Sequence, residues 1–289
     1  MKTRRRLVPY GLLAPGTIWL ALFFLVPMYF MAELALRSGT FTEGFVFTWE
    51  WANFPGSLEG RGEQIGRTFI YSGIATMLAL LIAYPLAYAI AVRASPRWRL
   101  LLLFAVIAPF FTTYLIRTIA WKTILADSSP VVDVLQILAI IPDDGRVLAT
   151  SGAVIAGLTY NFLPFMILPI YASLERLDLS LVEAAKDLYA SAATTFRKVT
   201  LPLTAPGIVA GVLLTFIPAF GDYVNAQILG SPNQFMIGNR IQSLYLNDRN
   251  YPDAAALSFL MMAAILIVVL IYIRTAGTEA FMGEEDEAK

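Results

Sequence analysis

Residues 183–202 read EAAKDLYASAATTFRKVTLP, a stretch that carries acids and bases within a few positions of one another and no long apolar run. Its surroundings are of another kind. Of the 289 residues, 58% are hydrophobic and 15% charged, against roughly 45–50% and about 25% in ordinary soluble domains. A membrane protein is the starting expectation, and 183–202 is then a helix-forming interruption that lies outside the bilayer.

The local pattern predicts two short helices. Ser180 followed three residues later by Glu183 has capping-box spacing, which predicts a first helix starting at 181. Ala184, Ala185 and Ala190 keep one face small enough for close approach to another surface, while Leu181, Val182 and Leu188 add apolar content. Ser191 is placed to cap a second helix that runs through Phe196 and Val199 and ends at Pro202. On these grounds alone, an amphipathic connector resting on lipid headgroups accounts for the stretch as well as a docking element does.

Outward from it, the chain divides into apolar runs. A spanning helix needs about 20 apolar residues, because the hydrocarbon core is roughly 30 Å thick and a helix rises about 1.5 Å per residue. Six stretches meet this length, at about 7–36, 68–92, 100–119, 152–172, 205–228 and 254–273. The first follows Lys2, Arg4, Arg5 and Arg6. Its apolar run exceeds the roughly 7–15 residues of a signal-peptide core, so it is expected to persist as an anchor with its N-terminus inside. Six spans return the C-terminus to that side. Most of the 21 Lys and Arg agree, with Arg93, Arg97, Arg99, Arg176, Lys186, Arg197, Lys198 and Arg274 inside, and Arg37, Arg61, Arg67, Arg117, Lys122, Arg146, Arg240 and Arg249 at the outer side. Residues 183–202 then face the cytoplasm. Three outer segments, about 37–67, 120–151 and 229–253, are expected to form short interfacial helices and an extracytoplasmic docking surface; the apolar piece Val131 to Ile141 is too short to span.

Composition removes whole classes of function. The net charge is +0, so no basic face points to nucleic acid, and the short acidic run Glu284, Glu285, Asp286, Glu287 reads as a solvated tail. With no Cys and no His there are no disulfides, thiol nucleophiles, Cys/His metal sites or His-based catalytic sets. No GxxxxGK[ST] phosphate loop is present either, so energy from ATP would have to come from another subunit.

Glu183-Ala184-Ala185, three residues, position 189, nine residues, then Val199-Thr200-Leu201-Pro202 resembles the EAA signature of ABC-importer permeases: EAA, three residues, Gly, nine residues, Ile, any residue, Leu, Pro. Its place before the penultimate span matches as well. In that family the first of the two helices is a coupling helix that sits in a groove of the ATPase subunit, so the resemblance implies coupling roles for Glu183, Ala184, Ala185, Asp187, Tyr189, Leu201 and Pro202. Tyr189 stands where the family has Gly. Gly turns the chain with positive φ, which is costly for a bulky residue, so either the helix ends differently here or the ring packs on the ATPase.

Further segments narrow the resemblance. Arg117-Thr118-Ile119-Ala120-Trp121, Gly221-Asp222-Tyr223-Val224, Leu229-Gly230 and the run from Met236 to Gln242 are similar to the spermidine/putrescine branch, and most similar to the B-type of its two permease subunits. Related branches carry thiamine, iron or other organic ions. The resemblance implies an all-α integral membrane fold with six transmembrane helices of the type I ABC importer permease and a cytoplasmic coupling helix. It implies a bacterial cytoplasmic membrane location with both termini in the cytoplasm, a second similar permease, two ATPase subunits and an extracytoplasmic substrate-binding protein. It implies no catalysis, cofactor or metal in this chain, with ATP and Mg held by the ATPases. The expected division is 1–36 for the N-terminus and first span, 37–67 for an outer loop, 68–274 for a five-span core containing the loop 174–203, and 275–289 for a tail.

Several polar residues are candidates for the transport pathway. Arg117 lies 18 residues beyond Arg99, about 27 Å along a straight helix, which puts it at the outer interface, as a snorkelling or docking charge or as a substrate gate. Asp222 comes 20 residues after Pro202, near the outer end of its span, and is expected either to pair with Arg117 or to guide a substrate ammonium group. Tyr223 and Trp121 offer cation-π faces or belong to an interfacial belt. Asn161, beside Tyr160 and ahead of Pro164, either lines the pathway or bonds between helices. Pro27, Pro85, Pro109, Pro164, Pro169 and Pro218 lie inside the spans and favour kinks. A secondary transporter would need interrupted spans related by a repeat and ionisable groups at the midplane, neither of which is found; an intramembrane hydrolase lacks His and paired carboxylates at depth. A scaffold protein would leave the register of 183–202 unexplained.

Overall fold

The computed structural model describes residues 12–142 and 145–276; the expectations for Lys2 to Arg6 and for the acidic tail fall outside these. The elements in order are α1 (Leu12–Ala35), β1 (Arg37–Thr40), β2 (Gly44–Phe47), α2 (Asn53–Gly56) and α3 (Gly62–Arg93). Then come α4 (Pro96–Phe111), α5 (Tyr114–Ile124), α6 (Pro130–Ile137), α7 (Ser151–Glu175), α8 (Leu179–Asp187) and α9 (Ala192–Leu203). The rest is α10 (Ala205–Gly221), α11 (Val224–Leu229), α12 (Ile237–Leu246) and α13 (Tyr251–Ala276). Helices dominate because backbone amides and carbonyls inside a bilayer must be satisfied within their own segment.

The chain forms two compact units. One comprises residues up to Gly62 together with Arg240–Ala264. Its α1 widens into a π-helical turn at Ala21–Leu25, just ahead of Pro27. Only 6% of the apolar window of α1 is buried within the chain, as suits a helix surrounded by lipid or by another subunit. The following segment departs from expectation: it folds as an antiparallel hairpin, Arg37 opposite Phe47 and Thr40 opposite Gly44, rather than as interfacial helices alone. The Asn53 amide stitches α2 to it, donating to the carbonyls of Ala35 (2.9 Å) and Arg37 (2.8 Å). Ala35, Ala255 and Ala256 form the buried centre, flanked by Met31, Leu34, Phe54 and Phe259.

The other unit comprises Glu63–Asn239 and the chain from Ile265 onward. Its core sets Ala79, Ala83, Ala87 and Ile90 of α3 against Met166, Ile167, Ile170 and Leu174 of α7. Against the same helix α7, Gly207 and Gly211 of α10 let the two backbones nearly touch. A Cβ at Gly207 would lie 2.5 Å from the Pro169 carbonyl oxygen and 2.6 Å from the Ser173 Cβ, and one at Gly211 would lie 2.9 Å from the Met166 sulfur. Lipid tails are as apolar as Leu, so helices in a bilayer associate by packing of this small-residue kind rather than by apolar burial.

Two expected straight spans are broken. The stretch 100–119 turns by 94° between α4 and α5. Pro109 sits in a terminal 3₁₀ turn, and Thr112 and Thr113 are extended with ψ of 151° and 146°. The Thr112 hydroxyl donates to the Pro109 carbonyl at 2.7 Å, a local bond that competes with continued helix. The 27 Å separation of Arg99 and Arg117 inferred from an unbroken helix therefore fails. The stretch 205–228 ends at Gly221, where Asp222 is extended with ψ 135° and α11 starts anew. A bend of 65° also separates α9 from α10. Among the described residues, four helices are long and apolar enough to cross a membrane, and six crossings result if each bent pair counts as one.

Candidate functional site

The segment after α7 folds into the two expected helices, with different boundaries. The Asp178 carboxylate accepts the Ser180 backbone N–H at 2.9 Å and caps α8, so the helix starts at Leu179 and not at 181. A charged oxygen at the cap also faces the positive end of the helix dipole, an advantage the Ser180 hydroxyl lacks. The Ser180 backbone and side-chain hydrogen bonds hold the Asp178 carboxyl below the usual carboxylate range.

The end of α8 answers the question posed by Tyr189. The Tyr189 N–H reaches back to the Lys186 carbonyl at 2.8 Å, and the Ala190 N–H to the Ala185 carbonyl at 3.1 Å. These are the paired bonds with which helices usually close on Gly. Tyr189 takes the Gly conformation, with φ 59°, at a cost of about 1–2 kcal/mol for an L-residue. Its side chain is 99% exposed, and that of neighbouring Leu188 is 82% exposed.

Ser191 caps α9 as expected, its hydroxyl accepting the Thr194 N–H at 3.2 Å. Pro202 does not end this helix. A π-helical turn at Phe196–Thr200 carries the Leu201 N–H back to Phe196, and the chain passes Pro202 to finish at Leu203. Thr204 at the bend shares a 2.9 Å hydrogen bond with the Tyr84 hydroxyl of α3, and the Tyr84 ring meets Phe196 edge-on at 5.5 Å. Glu183, Ala184, Asp187 and Pro202 are exposed, while Ala185 and Leu201 are half-buried. The segment therefore has an anchored second helix and a first helix that leaves one side open.

A second constellation lies where both broken spans meet α7. Asp222 is 7% exposed. Its carboxylate receives a short hydrogen bond from the Tyr114 hydroxyl and one from the Asn225 backbone N–H at 2.8 Å. The Asn225 side-chain amide donates to the Tyr114 oxygen at 2.5 Å. Asn161 of α7, 1% exposed, donates to the Thr118 hydroxyl and to the Asn225 amide oxygen, each at 3.1 Å. Its own amide oxygen is buried without a partner. Gly157, one turn before Asn161, makes room for this: a Cβ there would lie 2.6 Å from the Asn225 amide oxygen.

The expected pair of Arg117 and Asp222 does not form. The Arg117 guanidinium stands over the Phe110 ring at 4.2 Å and reaches the Pro109 carbonyl at 3.5 Å. The α4–α5 bend turns it toward α4, while Tyr114, one turn earlier, takes the carboxylate. Tyr160 stacks on the same Phe110 at 5.7 Å and meets Trp121 edge-on at 5.3 Å. Arg117, Tyr160 and Trp121 thus gather around Phe110, Asp222 and Asn161 join through Asn225, and Tyr223 belongs to neither group. Tyr114, Thr118, Asn225 and Phe110 were missed. Tyr114 and Thr118, four residues apart in an apolar run, were a visible signal of a polar helix face; Phe110 carried none.

Residues 83–277 match the family described as binding-protein-dependent transport system inner membrane component. The spermidine/putrescine transport system permease protein PotB of Haemophilus influenzae is 38% identical over 259 residues, which cover 89% of this chain and 90% of that one. Its counterpart PotB of Escherichia coli is 40% identical over 203 residues, 70% of this chain and 74% of that one. Among solved structures, a bacterial ABC transporter involved in the import of the acidic polysaccharide alginate superposes with a TM-score of 0.74 at 19% identity, covering 98% of both chains. A bacterial alginate ABC transporter in complex with an alginate pentasaccharide-bound periplasmic protein superposes equally well, with a TM-score of 0.74 at 19% identity over 98% of both chains, and these likenesses establish the fold alone. The family match, the relatives and the shared fold agree that this chain belongs to the binding-protein-dependent transport system inner membrane components, as a non-catalytic, multi-pass permease subunit of a bacterial ABC importer.

Proposed function

We propose that the importer carries polyamines of the spermidine and putrescine kind, and that this chain forms part of its translocation pathway beside a second, similar permease. The supporting observation within the chain is Asp222: a carboxylate at the break between α10 and α11, ringed by hydroxyl and amide groups, with no Lys or Arg nitrogen within 4.0 Å among the described residues. A buried acid without a cationic partner is expensive, and its natural complement is a cation that arrives and leaves. The names of the relatives point to the same substrates. Asn161 braces this acid through Asn225, Tyr223 stands exposed next to it, and Arg117 and Tyr160 on Phe110, with Trp121 edge-on to Tyr160, form a second wall.

The cytoplasmic reading of 174–203 gives the energy input. Glu183, Ala184, Ala185, Asp187 and Tyr189 contact an ATPase subunit through α8, and Leu201 and Pro202 carry its movement past the α9–α10 bend into the spans. Two such ATPases hold ATP and Mg, both termini of this chain lie in the cytoplasm, and an extracytoplasmic binding protein delivers substrate. The working division remains 1–36, 37–67, 68–274 and 275–289. ATP-driven closure of the ATPases turns the cavity outward, and hydrolysis resets it.

The test is uptake of labelled spermidine and putrescine into vesicles that hold the whole complex, with and without its binding protein and ATP. Uptake that requires both is expected. ATPase stimulation by loaded binding protein with no polyamine entering would keep the importer and overturn the substrate. Asp222→Asn sharpens the test: an amide oxygen is still there to accept the Asn225 N–H, but the charge is gone. Uptake is expected to fall about tenfold or more, the equivalent of one charge-assisted contact, with normal assembly; unchanged uptake would remove Asp222 from the pathway.

A further inference from the structure

We propose that Tyr189 selects the ATPase partner: its ring fills an apolar slot on the ATPase subunit, at the position where the family pattern leaves a bare Gly. This rests on the coupling role given above for α8 and adds to it a specificity determinant. Three observations carry it. The backbone at 189 is left-handed, φ 59°, and makes both hydrogen bonds of a Gly-type helix end, so the strain of a bulky residue is accepted in full. Nothing within the chain repays it, because the ring is 99% exposed and makes no hydrogen bond or ring contact among the described residues. Lastly, Leu188 projects from the same turn, 82% exposed, so two apolar side chains stand side by side with Glu183, Lys186 and Asp187 also exposed on α8. Backbone strain in a rarely populated region persists where a functional contact demands it. An aromatic side chain surrounded by polar groups is the usual form of a binding hot spot. The occupant is an ATPase surface with an apolar recess, and not solvent, because a Gly here would close the helix at lower cost.

The experiment measures ATPase binding to the purified permease complex, in detergent and in lipid nanodiscs, for the wild type, Tyr189→Gly, Tyr189→Phe and Glu183→Arg. Tyr189→Gly is expected to weaken ATPase binding about tenfold, as loss of a buried aromatic anchor does, although it relaxes the helix end. Tyr189→Phe is expected to bind within about threefold of wild type, because the ring and not the hydroxyl fills the slot. Tyr189→Gly binding as tightly as wild type, while Glu183→Arg binds poorly, would overturn the selector and leave the coupling helix in place. Normal binding by both variants would overturn the coupling role and the selector together. A loss confined to nanodiscs would assign the ring to lipid headgroups and likewise overturn the proposal.

Discussion

Glu183→Arg leaves the spans assembled and abolishes most ATP-dependent uptake, with ATPase attachment weakened about tenfold to a hundredfold. Glu183 is exposed on α8, outside the spans. Arg and Glu have nearly equal helix propensity, and the new guanidinium faces Asp187 four residues on, an attractive spacing where Glu183 and Asp187 now repel. The helix itself therefore gains slightly, and a transport defect cannot be blamed on its unfolding. At an interface, by contrast, reversal places a charge of the wrong sign against groups arranged for the original one, a change that costs several kcal/mol when desolvated. Co-purification of the ATPase with the variant permease, read beside vesicle uptake, checks this. Normal attachment together with normal uptake would remove α8 from coupling.

The second large effect lies in the pairing of α7 with α10. Gly207→Ala is expected to lower stability by about 2–3 kcal/mol, the upper part of the usual range for overpacking, because the added methyl meets the Pro169 carbonyl oxygen at 2.5 Å and the Ser173 Cβ at 2.6 Å. Backbone there cannot step aside without parting the helices. Gly211→Ala meets the end of the flexible Met166 side chain at 2.9 Å before any backbone atom, so it should cost less. Gly73→Ala on α3 meets nothing within 4 Å and should be neutral or stabilising by up to about 1 kcal/mol. Thermal unfolding of the three variants in one detergent reads the order directly. Equal stability of Gly207→Ala and Gly73→Ala would show that the α7–α10 contact is looser than the structure has it.

Both predictions mark where sequence reading sufficed and where it stopped. The GxxxG spacing of Gly207 and Gly211 is visible in the chain, but nothing in it names α7 as the partner or Pro169 as the point of closest approach. Likewise, the register of 183–202 was legible because its signals act over a few residues: Ser191 caps its own helix, and position 189 takes positive φ with Tyr as it would with Gly. The α8 start was misplaced by two residues because Asp178 and Ser180 are both competent caps, and only the folded backbone chooses between them. The hairpin at 37–47 escaped because four-residue strands, two of them glycine-bearing in an eleven-residue segment, are shorter than any pattern that alternation can establish.

The membrane class, the helical fold, the six apolar runs and the two-helix form of 183–202 were determined by the sequence by itself, since apolar length, backbone self-satisfaction in lipid and local capping are properties of contiguous residues. Tertiary structure alone decided that the third and fifth apolar runs break, that Arg117 turns to Phe110, and that Asp222 is met by Tyr114, 108 residues away. Hydropathy sums over a window and is blind to direction, so a run that bends by 94° at Thr112 and Thr113 scores like a straight one. Only packing determines which polar groups from distant turns share one dry space, and there each hydrogen bond is chosen because leaving a buried partner unsatisfied costs more than bending the helix that carries it.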